Sequence, residues 1–199
     1  MTINLPTDRL AGMVDTRTKI LDIAEDLVKK VGLNAMSYKD ISEAVGIRKA
    51  SVHYHFPKKE NLVDGLLDRC AVSYGDNYQR IVDGSEKAPD KLRELAAVFA
   101  DGLNTKKLCL VGSISADRNT LQDSSFHILQ STIKKTVSIF ATVFEQGRQE
   151  QSLTFTGTEE DTAFAFFSLL VGSQIIARSH GGIQLFQQAA EGIISGFEK

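Results

Sequence analysis

The 199-residue chain has no tryptophan, only two cysteines (Cys70 and Cys109) and only three prolines (Pro6, Pro57 and Pro89). Two cysteines are too few for a disulfide framework, and neither stands at metal-ligand spacing from another donor. His127 and His180 also lack partners at such spacing, so no metal is expected. Prolines this sparse, each where a break is plausible, leave long stretches free to be helical. No window carries the uninterrupted apolar run of a membrane span, and Asp8, Arg9 and Asp15 break up the beginning of the chain. The expectation is a cytoplasmic protein without membrane contact. No glycine-rich phosphate loop, paired-histidine zinc motif or nucleophile elbow appears, so the chain is not expected to be an enzyme and no cofactor is implied.

Net charge is −2, which taken whole argues against a nucleic-acid partner. Its distribution argues the other way. Residues 1–60 hold 10 Lys/Arg against 8 Asp/Glu, whereas residues 61–199 hold 13 against 17. From Arg48 to Lys59 there are four basic residues, two histidines and no acid. A phosphate backbone responds to a local positive face, because screening confines the field to roughly 8 Å at physiological salt.

Periodicity near 3.6 dominates the chain and predicts an all-α fold. Residues 1–15 read as a flexible arm. A first helix fits Thr16 to Val31, ended by Gly32. Ser37 caps a second, with Asp40 three residues on as in a capping box, and this helix stops at Gly46. A short third helix covers Lys49 to His55, and Pro57 restarts the chain into a long helix from about Lys58 to Val82. Further helices are predicted over Asp90–Asn104, Val111–Arg118, Phe126–Gln149, Glu159–Arg178 and Ile183–Phe197. The division is an arm over 1–15, a three-helix unit over 16–58 and a larger helical body over 59–199.

Tyr38 to His55 has the pattern of a helix-turn-helix. Gly46 tolerates the positive φ of the turn, and Ser42 is small where the helices cross. Ile41, Val45, Ile47 and Val52 fall at the spacings of an internal lock, which leaves Lys49, Ser51, His53, Tyr54 and His55 outside or at the edge. The second helix of such a unit enters the major groove of duplex DNA N-terminus first. Lys49 and Ser51 are therefore the candidates for base edges, with His53 a third. Tyr54 and Lys59 are candidates for phosphate, and Arg48 suits either role.

The stretch Thr16–Leu66 closely resembles the N-terminal domain of TetR-family repressors. The likeness rests on Thr16-Arg17, the Gly32 turn, Asp40-Ile41, Gly46-Ile47 and His53-Tyr54-His55-Phe56-Pro57 followed by Lys59-Glu60. It implies a homodimer on a palindromic operator, a ligand-responsive C-terminal body and, as a rule, repression. Members of that family often carry serine and glycine where this chain has Arg48 and Ala50. That departure removes the usual N-cap and adds a cation.

The C-terminal region holds ten of the eleven phenylalanines. Phe99, Leu103, Phe126, Phe140 and Phe144 fit a plain core, and the resemblance also makes them candidates to line an apolar effector pocket. The helices over Glu159–Arg178 and Ile183–Phe197 are apolar on more than one face and offer Gly172, Ser173 and Ala177 for close approach. The resemblance places the dimer interface there; burial within one subunit is the other reading. Cys109 stays open between two readings. Leu108 and Leu110 flank it as in a core, while Lys106 and Lys107 precede it and nearby cations favour thiolate. Leu108–Asp117, with Leu153-Thr154-Phe155 and Leu170–Ala177, resembles a TetR subfamily that detects electrophiles or oxidants with a cysteine at the matching position. Cys70 reads as packing. The implied effector is small and either apolar or electrophilic. The competing classes are a helical protein-interaction module and a thiol-dependent enzyme without DNA binding.

Overall fold

The computed structural model describes residues 7–199, with side chains from Asp15 onward. Among the described residues it is all-helical, apart from one isolated antiparallel bridge between Leu153 and Glu198. The first helix, α1 (Thr7–Val31), ends at Gly32, whose φ of 89° lets its N–H reach back to Val28 O. The expected arm over 1–15 is thus corrected from Thr7 onward, while residues 1–6 lie outside the described part. No proline interrupts Thr7–Thr16 and Gly12 is its only weak point, so the helix propagates once Thr16–Val31 has nucleated it.

Helix α2 (Tyr38–Val45) starts at the predicted capping box: Ser37 Oγ accepts from Asp40 N at 3.3 Å, and Asp40 accepts from Ser37 N at 3.1 Å. Gly46 closes it at φ 77°. Helix α3 (Lys49–His55) follows, with no side-chain cap from Arg48. Helix α4 (Lys59–Val82) is the spine: its first half carries the N-terminal unit and its second half packs along α7 (Asp123–Gln149). Between them come α5 (Ala88–Asp101), a 3-10 turn at Gly102–Thr105 and the short α6 (Leu110–Ala116). Helices α8 (Glu159–Ser179) and α9 (Gly182–Phe197) complete the body.

One continuous apolar core runs from Ile20 to Ile194. Its centre is aromatic: Phe140 meets Phe99, Phe166, Phe167 and Tyr78 at centroid distances of 5.2–6.4 Å, mostly edge to face. By length and composition alone α8 would pass as a membrane span, which the sequence reading had not anticipated. In the fold, its Phe166, Phe167, Leu170 and Ala177 are buried in the body. Its other face leaves Phe164, Ile175 and Ile176 exposed.

Candidate DNA-reading and effector sites

Ile41 and Val52 are completely buried, Ser42 nearly so, and Val45 and Ile47 pack against them at the edge. Ser42 Oγ spends its proton on Lys39 O, which keeps the crossing tight and polar-satisfied. Tyr38 adds a tie that the sequence reading missed. Its hydroxyl donates to Phe56 O at 2.8 Å, joining the start of α2 to the end of α3. Burial holds this phenol's pKa up at about 12. The cue was a tyrosine at the first position of a short helix, where a polar tip has to find a partner.

With that lock inside, Arg48, Lys49, His53 and Tyr54 are exposed, and Ser51 and His55 are half-buried at the edge. Tyr54 is 69% exposed, far beyond what packing of a phenol would leave. Lys59 is placed differently from the open phosphate anchor expected of it. Its ammonium donates to Leu33 O at 2.7 Å and Met36 O at 2.9 Å, so two of its three N–H bonds clamp the loop between α1 and α2. Partial burial accordingly pushes its pKa down, with Asp117 opposing.

The body is tied to this unit through α6. Leu108 N donates to Lys29 O at 2.9 Å, and Lys107 pairs with Asp26. At the other end Asp117 accepts from Asn34 N at 3.1 Å and Asn34 Nδ2 at 2.8 Å. Both ends of α6 are therefore fastened to the last turns of α1 and the loop that leads into the helix-turn-helix.

Cys109 sits at the N-cap of α6, half-buried, with its sulfur accepting from Gly112 N at 3.2 Å. Its own N–H goes to Gln174 Oε1 at 2.8 Å, and Gln174 Nε2 donates to Phe99 O. Gln174, 2% exposed, is a second missed residue; the signal was a lone amide in an apolar run with no local partner. Burial raises the thiol pKa, opposed by the Gly112 N–H, Lys29 and the Val111 N–H. The expected influence of Lys106 and Lys107 is thus corrected: Lys106 is exposed and Lys107 is held by Asp26, so Lys29 is the cation that acts.

Cys109 lines two spaces. One is a small cavity of about 30 Å³, shared with Cys70, Tyr78, Val111 and Phe167. The other is an open cleft of about 860 Å³ bounded by Lys29, Tyr74, Phe99, Lys107 and Gln174. Of the expected effector residues, Phe99 reaches this cleft. Leu103, Phe140 and Phe144 are buried in the core, where Phe166 packs against both phenylalanines. Phe126 lies elsewhere, half-buried under the guanidinium of Arg118 at 3.5 Å. Leu103, Phe140 and Phe144 thus take the plain-core alternative and Phe126 packs under a cation, because an apolar side chain looks the same in sequence whether it faces a core, a cleft or a cation.

The profile of the family described as "Bacterial regulatory proteins, tetR family" matches residues 20–66, the span of the lock and its exposed face. Residues 20–66 are thus a DNA-binding domain of the tetR type. The repressor KstR2 of Rhodococcus jostii is 38% identical over 77 residues, which cover 39% of this chain and 38% of that one. The repressor NemR of Escherichia coli is 23% identical over 171 residues, 82% of this chain and 84% of its own. Among solved structures, a TetR-family regulator of Agrobacterium tumefaciens superposes with TM-score 0.88 at 23% identity, covering 94% of this chain and all of that one. With this domain and these likenesses the chain is a DNA-binding transcriptional regulator.

Proposed function

We propose that this chain is a TetR-family homodimeric repressor that reads a palindromic operator through α3 and lets go when its body is modified at Cys109 or filled by a small effector. The observation that carries the reading is the exposed cationic and aromatic face of α3, Arg48, Lys49, His53 and Tyr54, held outward by fully buried Ile41 and Val52. Lys49 and Ser51 face base edges, Tyr54 and Arg48 hold phosphate, His53 and His55 flank the contact, and the remaining N–H of Lys59 is available to the backbone. A seven-residue reading helix makes few contacts, so the unit of function is a pair of heads on two half-sites. The exposed Phe164, Ile175 and Ile176 of α8, beside open Gly172, and the open Gly192 and Gly196 of α9 support a self-association face built from these two helices. The site of action is the cytoplasm, with no membrane and no catalysis.

Release follows from the fastening of α6. A change at Cys109 alters the segment whose Leu108 N–H and Lys107 hold the end of α1, and so changes the separation of the two heads. The cleft beside Cys109, with Phe99 on its wall, supports a second trigger, an effector that binds without bonding to the sulfur. Footprinting on DNA flanking the protein's own gene tests the reading. Protection of an inverted repeat is expected, lost in Lys49→Ala and Tyr54→Ala variants that remain folded and dimeric. Retained protection in both variants refutes it. A Cys109→Ser variant that still releases DNA after oxidant removes this thiol and leaves the effector.

A further inference from the structure

We propose that Cys70 and Cys109 work as a pair, with Cys109 the thiol first attacked by an oxidant and Cys70 the thiol that resolves it as an intramolecular disulfide joining α4 to α6. The inference rests on the Cys109 reading above and adds a partner and a chemical outcome to it. Three observations carry it. Both cysteines line the same cavity of about 30 Å³, room for roughly one or two waters. Only Cys109 of the two also borders the open cleft, which gives the order of attack. The third observation is the local backbone: Cys70 is fixed in the middle of α4, whereas Cys109 is an N-cap in extended conformation, ahead of α6 and after the Gly102–Thr105 turn. A disulfide needs Cα atoms roughly 4.4–6.8 Å apart, and the cavity supplies the space into which the start of α6 moves to meet that distance.

Burial raises both thiols, Cys70 to about 12, with the charge of Cys109 adding to the rise and Lys29 and Arg69 opposing it. Thiols kept protonated respond poorly to oxidants that require thiolate. A hypohalous acid is reactive enough to transfer halogen to sulfur even at a small thiolate fraction, and it installs a good leaving group. Cys109 Sγ–H attacks the chlorine of hypochlorous acid, giving Cys109 S–Cl and water. Cys70 Sγ then attacks Cys109 Sγ, chloride departs with the bonding pair, and the Cys70 proton goes to water. Two thiols lose two hydrogens, and the hypochlorous acid becomes water and chloride. Closing the bond pulls Leu108 and its hydrogen bond to Lys29 O with it, so the strain reaches the end of α1.

The test uses the full chain with one equivalent of sodium hypochlorite, read by non-reducing peptide mass spectrometry and by a thiol count under denaturing conditions. A Cys70–Cys109 linked peptide, two hydrogens lighter and restored by dithiothreitol together with DNA binding, is the expected result. In Cys70→Ser given a second equivalent of hypochlorite, Cys109 is expected to run on from sulfenic to sulfinic acid, and DNA binding does not return with dithiothreitol. Oxidised Cys109 beside free Cys70 in the wild-type peptide map overturns the pair but leaves Cys109 as the sensor. Unmodified Cys109 overturns both readings. Linkage between two chains, seen on a non-reducing gel, overturns the intramolecular bond. The wild-type map decides the matter even if Cys70→Ser fails to fold.

Discussion

Replacing Tyr38 by phenylalanine probes the joint that aims the reading helix. The hydroxyl donates to Phe56 O at 2.8 Å and the residue is 8% exposed, so the substitution removes one buried hydrogen bond and leaves the ring packing intact. Such a bond is worth about 1 kcal/mol net, and an unsatisfied buried carbonyl raises the cost to roughly 2 kcal/mol. At about 2–4 °C per kcal/mol for a chain of this size, the melting temperature should fall by about 2–8 °C at neutral pH. The pH dependence gives an independent check. The folded-state pKa, about 12, lies above the ordinary value of 10.0, so the neutral phenol is favoured by folding. That contribution is complete below pH 10.0 and is lost as pH rises from there to about 12. Tyr74 and Tyr78 shift in the same direction but are present in both proteins, so the difference between wild type and variant isolates Tyr38. Thermal unfolding by circular dichroism at neutral pH, and again midway between the two pKa values, should show the wild-type advantage shrinking at the higher pH. Operator affinity of the variant should fall even where it is fully folded, because α3 loses its anchor. A variant with unchanged melting temperature, or an advantage that does not shrink with pH, would refute the argument.

Five further substitutions have expected outcomes. Lys49→Ala should cost about 1–3 kcal/mol of binding and relax the preference at one operator position, whereas Tyr54→Phe should weaken all sequences alike; a panel of single-base operator variants separates the two. Phe140→Ala empties the centre of the aromatic cluster and should cost about 3–5 kcal/mol in chemical denaturation, with a residual cavity that the neighbouring helices cannot close. Gly46→Ala should cost only about 1–2 kcal/mol, the strain of the left-handed conformation, because open space surrounds the added methyl. Gly147→Ala instead drives a methyl into the Leu153 side chain and should cost about 1–3 kcal/mol, despite being a glycine-to-alanine change inside a helix. A Gly147→Ala variant as stable as wild type in chemical denaturation would show that Leu153 gives way freely and that packing does not set the cost.

The helix-turn-helix was legible because its determinants are local. The Ser37–Asp40 box, the left-handed Gly46 and the spacing of Ile41 and Val52 each act within one or two turns, and the chain meets them wherever it folds. The extension of α1 back to Thr7 was not legible, since a helix end without a strong cap or breaker depends on what it adjoins. Lys59 was read as an open cation because nothing in its neighbourhood announces that Leu33 and Met36 carbonyls will meet it. In the body, Phe99 borders the cleft, whereas Phe126, Phe140 and Phe144 carry the same apolar signature in sequence and lie elsewhere.

By itself the sequence determined that the chain is helical, that residues 38–55 form a helix-turn-helix, and which of its side chains turn outward. Caps, glycine turns and helical periodicity are short-range physics, written residue by residue. Tertiary structure alone decided that Cys70 and Cys109 share one cavity, that Gln174 holds the Cys109 N–H, and that α6 is fastened to α1 at Leu108 and to the loop beyond it at Asp117. Those contacts join positions 39 to 83 residues apart, as from Cys70 to Cys109 and from Asn34 to Asp117. Their geometry is set by how whole helices pack against each other, which no local pattern encodes.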